Sequence, residues 1–407
     1  MDYLILFLEF FFLAIIGKKL GFDSGPFVNF GLIIFGQIYL LYLFHAEALN
    51  SETFYKYTLS LLFCLMTFWA VVRSFYRGRV FSQNDFLVTK KQDYLILHVL
   101  FLIYLVIQLY EVFLTVQGGG GGVRVIIYKS TLPLVVIHDV LQGAAYFFLA
   151  INLIRKKYFY ISIIIISLVF SGSKQAPLIF LLELSFLSFL ISGVRKISFL
   201  KTLAIGCLGF FLSAILFYSG DQSLRSIESF VMYRGDVYRY LFELNYRDNL
   251  YGAYDWITYF FHHTVRMIGY KVYDGPIGTM LFSLNDGTPL SETNGGPIIP
   301  FYVLFDVLFN DPKLYLYLTC SLFLGYMAGK LFLLGVRLFT NKYNLFSLII
   351  GYWLMQSFYL VIDPTVFSYK FTPVFWIILP PFFIWKILRR KLNKPNNLRV
   401  DLNKELI

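Results

Sequence analysis

The chain has 407 residues, of which 58% are hydrophobic and only 14% are charged. A soluble domain carries about 25% charged residues and cannot bury this much apolar side chain, so the composition excludes an ordinary soluble protein and favours one that spans a membrane. The net charge of +11 does not indicate a nucleic-acid partner, because the Lys and Arg residues lie in short loops between apolar blocks, where they orient a membrane protein.

Apolar blocks long enough to cross a bilayer follow one another along the chain. They predict an all-α polytopic membrane protein with about eleven transmembrane helices and one large periplasmic loop. Residues 3–17 are interpreted as the first span and not as a signal peptide, because the basic pair Lys18-Lys19 follows the apolar block. The other predicted spans are 26–45, 55–72, 94–116, 132–154, 158–170, 176–194, 199–218, 313–335, 345–361 and 371–388.

Basic residues are concentrated in every second loop and in the C-terminal tail. These loops contain Lys18 and Lys19; Arg73, Arg77, Arg79, Lys90 and Lys91; Arg155, Lys156 and Lys157; Arg195 and Lys196; and Arg337 and Lys342. Because basic loops stay in the cytoplasm, the N-terminus is predicted to be periplasmic and the C-terminus cytoplasmic. The predicted organisation is transmembrane helices in 1–218, the periplasmic loop in 219–312, further transmembrane helices in 313–388 and a basic tail in 389–407.

Two amphipathic helices are predicted within the loop 219–312. In the segment 222–246, apolar residues recur at close to helical spacing, so this helix could lie on the membrane surface. A second helix is predicted over 253–269. Spacings of four, three and four place the following residues on one of its faces: Asp255, Tyr259, His262 and Arg266.

Ionisable side chains within the spans are candidate functional residues, because a charge in contact with lipid is costly. Glu183 lies about two helical turns from the start of its span, and the pair His138-Asp139 lies at a similar depth from the predicted outer surface. Together they predict a polar cavity that opens outward, with Glu183 and Asp139 as substrate-binding residues. Other charges near the outer ends fit equally well with surface contacts: Glu111, Asp363 and Lys370.

The long loop carries several arginines, namely Arg225, Arg234, Arg239, Arg247 and Arg266. The planar fork of an arginine fits phosphate oxygens, and a lipid-linked diphosphate at the outer membrane surface would need such donors. Arg225 and Arg239 have an alternative explanation, because Glu228 and Glu243 lie at pairing distance along a helix. Arg234 has no acidic residue four positions away and Arg266 shares a face with His262, so these two arginines are the stronger candidates.

The adjacent residues His262 and His263 form a histidine pair in the loop. A histidine near an arginine suits a general base because imidazole titrates near neutral pH, although a surface contact explains the pair equally well. No companion cysteine or close acidic cluster accompanies the pair, so no metal site is predicted. No glycine-rich nucleotide-phosphate loop is evident, which argues against an ATP-driven pump.

Two short segments carry a family resemblance. Ser171-Gly172-Ser173-Lys174 opens a hydrophobic helix, and Asn294-Gly295-Gly296-Pro297-Ile298-Ile299-Pro300-Phe301 ends the Arg- and Tyr-rich loop. In this arrangement the chain resembles the Wzy-type O-antigen or capsular oligosaccharide repeat-unit polymerases. Lys174 stands where that family often has an arginine.

The resemblance implies a glycosyltransferase of lipopolysaccharide or capsule biosynthesis in the bacterial inner membrane. It would move a glycan from undecaprenyl diphosphate to another lipid-linked repeat unit on the periplasmic face, with no metal or nucleotide cofactor and with a chain-length regulator as a partner. Its catalytic residues would be Arg234, Arg266 and His262. Its substrate-binding residues would be Arg225, Arg239, Lys174, Glu183 and Asp139.

Three other functions compete with this interpretation. An O-antigen ligase or a GT-C glycosyltransferase would also use a lipid-linked donor at the outer surface. The GT-C type usually places acidic residues in its first outward loop, and here that loop, 46–54, is short and contains only Glu47 and Glu52. A lipid-linked oligosaccharide flippase would have both termini in the cytoplasm and no loop of this length. The location of the N-terminus distinguishes the flippase from the enzymes.

Overall fold

A computed structural model describes residues 2–47, 49–75, 91–117, 132–171, 176–193, 199–217, 300–309, 313–340 and 345–362, together with 380 and 383–384. The regular structure in these ranges is helical, as predicted. The longer helices of the first half are α1 Asp2–Leu20, α2 Gly25–His45, α3 Ser51–Val72, α4 Lys91–Gln117, α5 Leu132–Ile154, α6 Phe159–Phe170, α7 Ala176–Ser192 and α8 Phe199–Phe217. The second half contains α9 Phe301–Phe309, α10 Leu314–Thr340, α11 Leu345–Met355, a 3₁₀ turn Gln356–Phe358 and α12 Tyr359–Ile362.

Each predicted span from 3–17 to 345–361 coincides with a helix. In the described ranges, six helical segments are long and apolar enough to cross a membrane: α2, α3, α4, α5, α10 and the continuous segment Leu345–Ile362. The chain is therefore a multi-pass membrane protein. Helix α6 extends only about 18 Å at 1.5 Å per residue, so its crossing of the bilayer stays a prediction.

Local sequence explains where several helices begin. Asn50 precedes α3 with an extended backbone, and its side-chain oxygen accepts a hydrogen bond of 2.8 Å from the backbone N–H of Thr53. Pro26 stands in the first turn of α2, where its missing N–H costs no hydrogen bond. Both signals place the helix starts at the edges of the apolar blocks.

Helix α9 lies inside the range 219–312 that the sequence assigns to the periplasmic loop. Phe301, Tyr302 and Val303 are at most 1% exposed, and the helix packs against α3 and α10. The returning chain therefore joins the bundle at Pro300, before the predicted span 313–335 begins. The aromatic and branched side chains that follow Pro300 provide the reason, because they are stabilised by burial.

Helix α10 is the central element of the bundle and packs against α3 on one side and α11 on the other. Helix α11 also packs against α5, which in turn contacts α4 and α7. Helices α1 and α2 lie beside α3, and α8 lies beside α7. A row of close helix contacts thus leads from α3 through α10 and α11 to α5, α4 and α7.

Glycines allow α10 to approach both of its main neighbours. A Cβ atom at Gly329 would lie 2.9 Å from Cβ of Val71 on α3. On the other side, a Cβ atom at Gly335 would lie 2.7 Å from the backbone oxygen of Gly351 on α11. Small residues at such positions let membrane helices touch through their backbones, which strengthens dispersion contacts where lipid removes the hydrophobic driving force.

Candidate functional site

Helix α7 carries one carboxyl group, Glu183, in a sequence that otherwise consists of apolar residues and three serines. Its neighbours Leu182 and Leu184 are buried, and Glu183 itself is half-buried. The side-chain amide of Gln356 donates a hydrogen bond to Oε1 of Glu183, and Tyr352 lies within electrostatic range of this carboxylate. Glu183 therefore faces protein between α7 and the 3₁₀ turn, where this hydrogen bond helps to offset the cost of burying its charge.

Tyr352 and Gln356 lie on the same helical face, toward Glu183, because they are four residues apart. Gln356 begins the 3₁₀ turn that interrupts the α-helix. The hydroxyl of Ser357 donates a 3.0 Å hydrogen bond to the carbonyl oxygen of Ala328 on α10, and the Phe358 ring lies against Gly25 on α2. The turn that presents Gln356 is thus fixed by two other helices, and a 3₁₀ stretch within a helix often marks a functional hinge or a sequence under strain.

Two buried tyrosines connect Glu183 with the opposite side of the bundle. Tyr146 on α5 makes an edge-to-face contact with Tyr352 at a centroid distance of 5.7 Å, and it lies within the electrostatic influence of Glu183. The Tyr146 ring also makes an edge-to-face contact with Tyr104, on α4, at a centroid distance of 6.3 Å. The result is a set of tyrosine rings in contact from α11 through α5 to α4.

His138 and Asp139 lie at the other end of this set. The His138 ring stacks on the Tyr104 ring at 4.1 Å and 16°. Its Nδ1 lies 3.7 Å from Oδ1 of Asp139, which is longer than a hydrogen bond and leaves an electrostatic contact when the imidazole is protonated. The Nε2 atom is buried and has no hydrogen-bond partner among the residues that the structure describes.

We call this group the polar cluster; its members are Tyr104, His138, Asp139, Tyr146, Glu183, Tyr352 and Gln356. It brings together the two sequence-predicted residues Glu183 and Asp139 through the three tyrosines. Carboxylate, amide, hydroxyl and imidazole groups beside aromatic rings can bind hydroxyl groups of a ligand. In the described ranges no three His, Cys, Asp or Glu side chains lie close enough together to hold a metal ion.

The sequence signals for the members of the polar cluster are unequal. Glu183 and Asp139 stand out as charges in apolar blocks, and Gln356 is a weaker signal of the same kind. The tyrosines give no comparable signal, because the chain has 31 of them. Only the contacts between helices select Tyr104, Tyr146 and Tyr352.

A second polar region lies between α2, α3, α9 and α10. Lys56 is 4% exposed, forms a 2.9 Å ion pair with Glu52, and lies 5.7 Å from the centre of the Tyr317 ring. Gln37 donates a 3.1 Å hydrogen bond to the Tyr302 hydroxyl. These contacts join α9 to the bundle and have an evident structural role.

Glu9 is a further carboxyl group inside the bundle that the sequence analysis does not select. It is fully buried on α1, and neither carboxyl oxygen hydrogen-bonds to a described residue. Its position within the predicted span 3–17 carries the same sequence signal as that of Glu183. The polar cluster differs because several helices contribute interacting groups to it.

The other predicted site residues lie outside the described residues: Lys174, Arg225, Arg234, Arg239, His262 and Arg266. The predicted helices 222–246 and 253–269, almost all of the span 371–388 and the tail 389–407 also lie outside them. Lys174 falls between the end of α6 at Phe170 and the start of α7 at Ala176. The roles of these residues stay predictions.

No protein-family model, curated protein or solved structure matches this chain. Any statement about its function therefore depends on its own residues and their arrangement.

Proposed function

We propose that the chain polymerises undecaprenyl-diphosphate-linked oligosaccharide repeat units into O-antigen or capsular polysaccharide on the periplasmic face of the inner membrane. The observation that carries the proposal is the position of the Ser171-Gly172-Ser173-Lys174 segment. This segment, which resembles a motif of Wzy-type polymerases, leads directly into α7, and α7 carries Glu183 into the polar cluster. Sequence resemblance and a polar site inside an apolar bundle thus occur on the same helix.

The proposed topology has eleven spans, a periplasmic N-terminus and a cytoplasmic C-terminus. The alternation of basic loops supports it. In this topology the loop 219–312 and the first residues of α7 face the periplasm, where lipid-linked repeat units are exposed.

A cysteine placed at Asn249 should react with a membrane-impermeant thiol reagent from outside, and one placed at Arg77 should not. The reverse labelling pattern would refute the topology.

In the proposed reaction, the arginine-rich loop binds the diphosphate of the donor. The acceptor hydroxyl oxygen attacks the anomeric carbon of the donor glycan, and the bond from that carbon to the diphosphate oxygen breaks. The diphosphate leaves with the electron pair, stabilised by Arg234 and Arg266, while His262 takes the proton of the hydroxyl. Arg225, Arg239, Lys174, Glu183 and Asp139 bind the two substrates, and no metal or nucleotide takes part.

The proposed arginine roles are testable because lysine keeps the charge but lacks the bidentate fork. Arg234→Lys and Arg266→Lys should each lower the polymerisation rate about 30- to 1000-fold, which corresponds to roughly 2–4 kcal/mol of transition-state stabilisation. Protein in the membrane should remain at the wild-type level. Wild-type polymer from both variants would remove these arginines from the mechanism.

An outward-facing ligase or GT-C transferase is the second enzyme proposal, since it would use the same lipid-linked donor. A flippase is the alternative from another class.

Deletion of the gene, followed by gel analysis of the surface polysaccharide, distinguishes these functions. A ladder that collapses to a single repeat unit is the expected result for a polymerase. Loss of every repeat unit from the surface would indicate a ligase or a flippase. A chain-length regulator is proposed as a partner. Its deletion would alter the distribution of polysaccharide lengths without abolishing the ladder.

A further inference from the structure

The four helical segments that form the polar cluster carry an excess of acidic residues. Helices α4, α5 and α7 and the segment Leu345–Ile362 contain no Lys or Arg except Lys91. Lys91 begins α4 and precedes Tyr104 by thirteen residues, which is about 20 Å along a helix. The same segments contribute Glu111, Asp139 and Glu183. A diphosphate would therefore meet carboxylates here and not the cationic forks that it requires.

The hydrogen-bonding groups of the cluster suit a different ligand. The buried Nε2 atom of His138 can accept or donate a hydrogen bond according to its tautomer, and it has no partner among the described residues. Glu183 and Gln356, from two helices, keep part of their surface accessible although their helical neighbours are buried. The His138 ring stacks on the buried ring of Tyr104, which fixes its orientation. Neutral hydroxyl-bearing rings match such a mixture of carboxylate, amide and imidazole groups.

We propose that the polar cluster binds the neutral sugar at the accepting end of a repeat unit, apart from the diphosphate of the donor. The assignment rests on the proposed function and divides its binding site in two. Sugar hydroxyls are held by the cluster between α4, α5, α7 and the 3₁₀ turn. The diphosphate is held by the arginine-rich loop.

Hydrogen bonds that merely join helices would explain the same contacts without a ligand. The two explanations predict different effects of substitutions in the polar cluster on the binding of the two substrates. A helix-joining role predicts that removal of one polar group lowers stability and affects both substrates alike. A sugar site predicts a selective loss of oligosaccharide binding.

The experiment measures two dissociation constants by calorimetry, with the full chain in lipid nanodiscs. One probe is the organism's own repeat-unit oligosaccharide, released from its lipid carrier by mild acid, and the other is farnesyl diphosphate. Glu183→Gln should weaken oligosaccharide binding about 10- to 100-fold, because the amide lacks the charge that strengthens a hydrogen bond to a sugar hydroxyl. Tyr352→Phe should weaken it about 3- to 10-fold, because it removes the hydroxyl beside that carboxylate. The dissociation constant for farnesyl diphosphate should stay within about twofold of wild type in both variants.

Tyr94→Phe is the matched control. Tyr94 donates a 3.1 Å hydrogen bond to Asn152 between the same helices, α4 and α5, but lies outside the polar cluster. Its variant should bind both probes as wild type does. Thermal unfolding of each variant checks that a loss of binding does not reflect a loss of fold.

Three outcomes would overturn the assignment. Equal weakening of both probes in Glu183→Gln would indicate a helix-joining role, and selective loss of farnesyl diphosphate would place the donor in the cluster. Wild-type protein that binds farnesyl diphosphate but not the oligosaccharide would refute the sugar site and leave the polymerase proposal standing. If the deletion strain also keeps its full polysaccharide ladder, the proposed function itself fails.

Discussion

The two sides of α11 make opposite kinds of contact. Toward α10, Gly351 meets Gly335, and a Cβ atom at Gly351 would lie 2.8 Å from the Gly335 backbone oxygen. Toward α5 and α7, the next residue, Tyr352, packs against Tyr146, and Gln356 of the adjoining 3₁₀ turn donates a hydrogen bond to Glu183. The contact with α10 is therefore made by backbone atoms of glycines, whereas the contacts with α5 and α7 are made by side chains.

The glycine contacts determine the position of the polar cluster, whereas its side chains determine which groups it can bind. Backbone contact at Gly335 and Gly351 leaves no room for adjustment, so α11 has one position relative to α10. The hydrogen-bonding side chains at Glu183 can be replaced by side chains of similar shape with little effect on folding. Substitutions on the glycine side should therefore affect folding, whereas conservative substitutions on the polar side should affect function.

Gly335→Val should give the largest effect. The new side chain would collide with the backbone of Gly351 and Leu354, and overpacking against backbone atoms should cost at least about 3 kcal/mol of folding free energy. The expected result is a loss of folded protein from the membrane, measured by detergent-extracted yield and thermal unfolding. Gly31→Ala is the control, because its Cβ would meet only Leu13 at 3.7 Å. A stable Gly335→Val protein would show that the α10–α11 contact is adjustable.

Glu183→Leu should give the next largest effect on stability. It leaves the Gln356 amide without its acceptor, which should cost about 1–3 kcal/mol. The double variant Glu183→Leu, Gln356→Leu should regain most of this stability, because an apolar pair replaces an unsatisfied polar group. It should not regain polysaccharide synthesis. A double variant that restores the ladder as well as the unfolding temperature would assign Glu183 a purely structural role.

Gly143→Ala should have a smaller effect on stability than either of these substitutions. A Cβ atom at Gly143 on α5 would lie 2.9 Å from Cβ of Tyr352, so the tyrosine must shift slightly. We expect a stability loss of about 1 kcal/mol and a clear decrease in polymer synthesis, since Tyr352 lies beside Glu183 in the polar cluster. Polymer length on a gel at matched expression is the readout. Unchanged synthesis would mean that the position of Tyr352 does not matter.

Tyr94→Phe should give the smallest effect. It removes one hydrogen bond, to Asn152, away from the polar cluster, and a hydrogen bond of this kind contributes about 0.5–1.5 kcal/mol. Thermal unfolding should decrease slightly while polymer synthesis remains at the wild-type level. Reduced synthesis at normal stability would extend the functional region beyond the polar cluster.

The sequence predicts the helices of this protein better than it predicts their contacts. Apolar blocks determine where helices α2 to α5 lie, because only their length and hydropathy matter for that. Helix α9 escapes this criterion, since nine residues are too few to be recognised as a span. Its burial depends on contacts with α3 and α10, which the sequence does not reveal.

The candidate site follows the same division. Glu183 and Asp139 are predictable because each is a charge in an apolar block. Tyr146 and Tyr352 are not, since their roles arise only where α5 and α11 meet. Likewise, Gly335 cannot be distinguished by sequence from Gly31, although the structure gives the two glycines very different surroundings.

Reconstitution shows whether the purified chain alone polymerises lipid-linked repeat units. Purified protein in liposomes would be supplied with the organism's undecaprenyl-diphosphate-linked repeat unit, without nucleotide and in the presence of a metal chelator. A polysaccharide ladder from wild type and Gly31→Ala, and a strongly reduced one from Glu183→Gln at equal folded protein, is the predicted result. Repeat units that remain single with the wild-type protein would contradict the account.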